Sequence, residues 1–247
     1  MHRVFVSPRQ IEASRIIIDE SSAVHHLRTV LRVAPGDRLT CVDGGGREYE
    51  GAITECDARR LIMRIEASRP SVEAGPALWL AQGIPKGSRF EWAIEKATEL
   101  GASRIAPLLT RHTVVRIAER ASSAKVARWR RVAAAAARQC RRAVVPVIDP
   151  PQSLEAFMDA LPPDGLIVMP TLQVSAPPLS EMLASRAPGC VGPVIVLIGP
   201  EGDFSKEEVA MAQARGAQPV SLGMLTLRSE TAAVAALAMV RYAFGCP

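Results

Sequence analysis

Long apolar runs, paired cysteines and phosphate-binding glycine signatures are all missing from this 247-residue chain. No stretch reaches the ~18 to 20 consecutive apolar residues that a membrane-spanning helix needs. The opening Met1-His2-Arg3-Val4-Phe5-Val6 has no charged head, long apolar centre or small-residue cleavage site, so a cytoplasmic protein without a membrane partner is expected. Cys41, Cys56, Cys140, Cys190 and Cys246 are odd in number and far apart, with no CxxC pair and no histidines at ligand spacing. Neither a disulfide framework nor a metal site is expected. The chain also has no GxxxxGKS/T and no GxGxxG segment, which argues against a nucleotide-phosphate enzyme.

Lysine is scarce too. Of the 30 cationic residues only Lys86, Lys96, Lys125 and Lys206 are lysines, and the other 26 are arginines. Arginine forks match phosphate oxygens bidentately and stack on bases, a composition that suits RNA. A formal net charge of +5 and a pI of about 9.2 favour a polyanionic partner in the same direction. With 48% hydrophobic and 22% charged residues, the chain can form one or two globular domains with a sizeable core.

Residues 1–70 give short β-type runs at 38–42, 49–54 and 61–66, broken by Asp43-Gly44-Gly45-Gly46. A helix is expected over 23–32, where Val24, Leu27, Val30 and Leu31 fall at helical spacing, and Pro35-Gly36-Asp37 makes the following turn. The expectation is a compact β-barrel-like module. Residues 69–76, with two prolines and a glycine, are expected to be a linker. Beyond it, strands expected at 77–82, 104–108, 144–148, 166–169, 194–198 and 219–222 alternate with helices at 90–100, 124–140, 154–161, 206–215 and 230–242. Such alternation predicts an α/β domain over 71–247: a parallel sheet with helices on both faces. Ligands in such a sheet bind beyond the carboxyl ends of the strands.

Four segments there carry candidate chemistry. In Val194 through Ile198, then Gly199-Pro200-Glu201-Gly202-Asp203-Phe204-Ser205, a buried strand runs into two glycines, and Ser205 with Glu208 forms a capping box. An ordinary strand-to-helix turn would explain the glycine and cap but has no use for Pro200-Glu201. In Ser221 through Ala233, a loop carries Arg228 and Glu230 ahead of an Ala-rich helix, with Ser229 as its expected cap. A surface ion pair of Arg228 with Glu230 is the plain alternative. Lys86 and Arg89 stand at the start of the helix that Gly101 ends, where anions are attracted. Finally, Arg128-Trp129-Arg130-Arg131 through Arg138-Gln139-Cys140-Arg141-Arg142 is a basic helix with an aromatic that could stack a base. A solvated face would look the same. His25, His26 and His112 receive no catalytic role.

Gly199-Pro200-Glu201-Gly202, followed by Leu222-Gly223 and Leu227-Arg228-Ser229-Glu230-Thr231-Ala232, resembles the ribosomal small-subunit methyltransferase E family. Lys86-Gly87, Glu95 through Gly101, Arg104-Ile105, Pro107-Leu108, Gln139 through Pro146, His25 through Arg28 and Pro35-Gly36-Asp37 fit the same family, so the resemblance covers nearly the whole chain. It implies a PUA-like RNA-binding β-barrel over 1–70 and a SPOUT methyltransferase domain over 71–247, the latter with a deep trefoil knot that periodicity could not reveal. It also implies a homodimer, S-adenosyl-L-methionine as cofactor, and methylation of uridine N3 in 16S rRNA of the small ribosomal subunit.

Carried over by motif, the cofactor residues are Ile198, Gly199, Pro200, Glu201, Gly202, Ser221, Leu222, Gly223 and Leu227. Arg228, Glu230 and Glu201 are the candidate catalytic groups, with Arg228 stabilising charge and a glutamate orienting it or taking the N3 proton. Arg3, Arg28, Lys86, Arg89, Arg138, Arg141 and Arg142 are the candidate RNA contacts. The chain departs from the family at Asp203 and Arg141, where glycine is usual, and at Leu225-Thr226, where an arginine is usual. Two alternatives stay open: a SPOUT enzyme with another RNA target such as a ribose 2′-oxygen, and a non-catalytic RNA-binding assembly factor.

Overall fold

The computed structural model describes residues 2–71, 73–113, 119–186 and 192–245, so Cys190 and Cys246 lie outside the described residues. The chain divides into two compact units, one of residues 1–72 with 137–145, the other of 73–136 with 146–247.

The first unit contains β1 (His2–Phe5), β2 (Arg15–Ile18), α1 (Ser21–His25), β3 (Arg38–Val42), β4 (Arg47–Cys56) and β5 (Leu61–Pro70). They form one five-stranded sheet in the order β1-β3-β4-β5-β2, with β1 parallel to β3 and the other pairs antiparallel. No ladder joins β1 to β2 among the described residues. Ile16, Ile18, Val24, Leu27, Leu39, Ile53, Leu61 and Met63 meet in the core. Cys41 joins them, and burial pushes its thiol up to about 12, which removes it from thiolate chemistry.

Three differences from expectation are local. The helix expected over 23–32 is a single α turn continued by a π-helical turn at His26–Val30, and it stops at Arg32 with φ 53°. β1 and β2, four residues each, are too short to show a period. β5 runs through Pro70, so Arg69 and Pro70 belong to the sheet rather than to the linker.

The second unit contains β6 (Leu78–Gly83), α2 (Arg89–Glu99), β7 (Ala102–Leu109), α3 (Glu119–Gln139, whose last three residues fall in the first unit), β8 (Val147–Ile148), β9 (Gln152–Ser153), α4 (Leu154–Asp159), β10 (Leu166–Pro170), α5 (Leu179–Arg186), β11 (Val194–Ile198), α6 (Lys206–Ala214), β12 (Gln218–Val220) and α7 (Ser229–Ala243). Its sheet order is β12-β10-β11-β6-β7-β8, every pair parallel, with β9 beside β7. β10 and β11 are buried along their whole length, which accounts for their unbroken apolar runs. Helices α2 and α7 pack on each other and on β6, β7 and β11, while α4 and α6 pack together against β7 and β12. On the α4 and α6 face, Ile167, Met169, Ile195 and Leu197 alternate inward onto Phe157, Phe204 and Val209. The α/β architecture with both faces covered is thus observed. Of the strand expected over 144–148, only Val147 and Ile148 enter this sheet, and Val144 bridges to Gly44 and Gly45 within the first unit. No helix among the described residues is long and apolar enough to cross a membrane.

Candidate functional site

β10, β11 and β12 end side by side at Pro170, Ile198 and Val220, and beyond these carboxyl ends lies a cavity of about 300 Å3. Among the expected cofactor residues Ile198, Gly199, Pro200, Glu201, Ser221, Leu222, Gly223 and Leu227 line it, as does Arg228. Gly202 and Glu230 do not. Thr171, Leu172, Asp203 and Ala232 also line it and were not singled out as site residues from the sequence.

The two turns are joined by a hydrogen bond that the sequence does not advertise. Ser229 Oγ donates to Gly199 O at 2.6 Å and accepts from Gln82 Nε2 at 2.8 Å, all three groups being buried. The expected capping role of Ser229 is therefore corrected: Arg228 occupies the cap position of α7, and the Ser229 hydroxyl is committed to the neighbouring turn. Ser205 and Glu208 do form the reciprocal capping box opening α6. Close approach explains two glycines. A Cβ at Gly83 would sit 2.6 Å from Pro200 Cδ, and one at Gly199 would sit 2.9 Å from the Asp203 backbone.

Asp203 holds φ 57°, the left-handed region, where the family resemblance puts glycine. Its carboxylate accepts from Thr171 Oγ1 (2.9 Å), Leu172 N (2.8 Å) and Phe204 N (2.7 Å). His112, given no role from the sequence, places Nδ1 3.0 Å from Asp203 O.

The carboxylates pair with Arg89 rather than with Arg228. Glu201 Oε1 accepts from Arg89 Nη1 at 2.9 Å and from Lys86 N at 3.0 Å, and Glu230 Oε1 lies 3.8 Å from Arg89 Nε. Burial opposes ionisation of Glu201, but the backbone N–H groups of Lys86 and Glu201 and the Arg89 guanidinium outweigh it and hold its carboxyl below the ordinary value. Glu230 Oε2 is buried without a hydrogen-bond partner among the described residues. Arg228 is exposed, with no ion pair or hydrogen bond from its side chain to a described residue. The plain Arg228–Glu230 surface pair is therefore replaced by an Arg89–Glu230 contact.

The other cationic candidates are scattered. Arg3 Nη2 is 2.5 Å from Glu48 Oε1, and its side chain is half-buried. With Arg9, His26 and Arg138, Arg3 lines a basin of about 870 Å3 in the first unit. Arg28 and Arg141 are exposed, Arg141 at φ 60°, and Arg142 is half-buried. Arg128 pairs with Glu91 at 2.7 Å. Trp129, expected to stack a base, is 5% exposed and packs edge-on against Phe90 with ring centroids 4.8 Å apart, so it is core.

A family model described as an RNA methyltransferase domain matches residues 73–241, and one described as an RNA methyltransferase PUA domain matches 18–66. The ribosomal RNA small subunit methyltransferase E of Synechocystis is 32% identical over 97% of this chain and 77% of its own length, and that of Bacillus subtilis is 27% identical over 98% and 96%. The crystal structure of the Neisseria gonorrhoeae methyltransferase E, bound to S-adenosyl methionine, superposes with a TM-score of 0.80 at 27% identity, covering 98% of this chain and 97% of that one. The class is thus an RNA methyltransferase with an RNA methyltransferase PUA domain. Within that class, the chain belongs to the ribosomal RNA small subunit methyltransferase E family.

Proposed function

We propose that the chain transfers a methyl group from S-adenosylmethionine to N3 of a specific uridine in 16S rRNA of the small ribosomal subunit. The observation that carries this is the Ser229–Gly199 hydrogen bond, which holds two glycine-bearing turns together over an apolar-walled cavity at the carboxyl edge of the sheet. The residues present fit the cofactor. Ile198, Val220, Leu222 and Leu227 offer flat apolar walls, and the turn backbones offer hydrogen-bonding groups for a purine edge. Ile198, Gly199, Pro200 and Glu201 would form one wall, and Ser221, Leu222, Gly223 and Leu227 the other. When bound, a methyl sulfonium supplies an electrophilic carbon without a metal.

The chain's own residues then have three tasks. They align the uridine, remove its imide proton and stabilise charge on the flanking carbonyls. Arg228, with its guanidinium uncommitted among the described residues, is assigned the charge. Glu201 is engaged by Arg89 and Lys86, whereas Oε2 of Glu230 has no hydrogen-bond partner among the described residues. That favours Glu230, directly or through a water, as the proton acceptor, with Glu201 orienting Arg89. Because N3 lies on the Watson-Crick edge, the target must be unpaired or turned out of its stack.

Residues 1–70 are read as a PUA-like RNA-binding barrel and 71–247 as a SPOUT domain with a trefoil knot. The chain is read as a cytoplasmic homodimer. Arg3, Arg28, Lys86, Arg89, Arg138, Arg141 and Arg142 are assigned to guide RNA, so binding should weaken steeply with salt. The test is incubation with labelled cofactor and small subunits lacking the modification, followed by nucleoside analysis. N3-methyluridine is the expected product; label in a ribose or no label at all would overturn the assignment.

A further inference from the structure

Loop 171–178 touches both turns of the cavity. At its start, Thr171 Oγ1 and Leu172 N both donate to Asp203 Oδ2, and Thr171 Oγ1 also accepts from Gln173 N at 3.2 Å. At its end, Ser221 N donates to Pro177 O at 2.8 Å and Leu179 N to Ser221 O at 3.0 Å. The loop is therefore a strap fastened to the turn after β11 by Asp203 and to the turn after β12 by Ser221. Thr171 is 8% exposed while Leu172 is 68% exposed, and both line the cavity.

Asp203 reaches this position at a conformational cost, because a left-handed φ of 57° suits glycine and strains a side chain. The carboxylate gives something in return that glycine cannot: two donors meet on Oδ2 while Oδ1 accepts from Phe204 N. Two separate acceptor oxygens are needed. An asparagine has one and would turn an N–H toward one donor set.

We propose that Asp203 is a positioning residue for cofactor binding: acting through Thr171 and Leu172, its carboxylate fixes the strap as a wall of the cavity and so sets the affinity for S-adenosylmethionine. This rests on the cavity being the S-adenosylmethionine site. The effect is positional and not a charge attraction to the sulfonium, so the neutral S-adenosylhomocysteine should lose affinity by the same factor.

The test is calorimetric titration of both ligands into the full chain and into Asp203→Gly, Asp203→Asn and Thr171→Val, with hydrogen exchange at 171–176 in the cofactor-free proteins. Asp203→Gly relieves the backbone strain while removing the latch. It should melt within a few degrees of the unaltered chain, bind both ligands about tenfold or more weakly, and exchange faster at 171–176. Asp203→Asn should lie between, and Thr171→Val should lose about threefold with the Asp203 turn intact. Undiminished binding by Asp203→Gly, or a loss confined to the sulfonium, overturns the inference while leaving the cofactor site standing. No binding by the unaltered chain overturns the cofactor site, and the inference with it.

Discussion

In the turn after β11, Ile198, Gly199 and Pro200 are buried, Gly199 O is held by Ser229, and Asp203 and the Ser205–Glu208 box fix the path into α6. In the turn after β12, Met224 and Leu225 are 103% and 80% exposed and Arg228 stands in solvent. One side of the cavity is set before any ligand arrives, and the other is left with free surface. A segment with few buried contacts belongs to the low-stability end of a fold, where ligands and partners are received. Both turns thus wall the proposed cofactor site, while the exposed part of the second, Met224, Leu225 and Arg228, is also suited to meeting the nucleotide.

The most demanding test of that division is Arg228→Ala. It should lower methyl transfer to small subunits about 10²- to 10³-fold while cofactor affinity stays within about twofold, measured by single-turnover assay and calorimetry. An equal collapse of affinity would make Arg228 a cofactor-holding residue rather than one that meets the nucleotide. Next in size, Gly199→Ala forces a Cβ to 2.9 Å from the Asp203 backbone and should destabilise the chain by about 1–3 kcal/mol, with cofactor binding lost in parallel. Ser229→Ala leaves Gly199 O and Gln82 Nε2 without their partner and should cost about 1–2 kcal/mol by denaturant unfolding.

A smaller effect is expected from acid. The Glu201 carboxyl is held below its ordinary value of 4.5, so its contribution to stability is complete above that value and is lost as pH falls through the lower folded value. Arg89→Met removes one of the groups that lower it and should flatten this acid limb in pH-dependent melting. Least of all, Met224→Ser with Leu225→Ser should change stability by less than about 0.5 kcal/mol, because both side chains are exposed.

The parts of the fold legible in the sequence are those set by local physics. β11 falls at 194–198 as expected because a five-residue apolar run, mostly β-branched, between Pro193 and Gly199 is too short for a helix, and the Ser205–Glu208 box marks the start of α6. Both glycine turns are visible because each follows a strand, β11 fully buried and β12 only at Val220. The features that could not be read depend on distant partners. Ser229 looks like a helix cap until it is seen to bond Gly199, 30 residues away, and Gln82, 147 residues away. The choice of Arg89 over Arg228 as partner of the carboxylates spans 112 residues for Glu201. Trp129 sits in an arginine-rich helix, and only its contact with Phe90 reveals it as core. α5 follows the prolines at 177 and 178 and has only two turns, too few for its period to stand out. Asp203 and Arg141, where the resemblance implies glycine, both have left-handed backbones, a feature that the residue types themselves do not signal.

A crystal structure of this chain grown with S-adenosylmethionine would go straight to the point. The donor should lie between residues 198–201 and 221–227, its methyl group directed toward the Arg228 side of the cavity. Density for the donor elsewhere on the chain, with these turns empty, would contradict it.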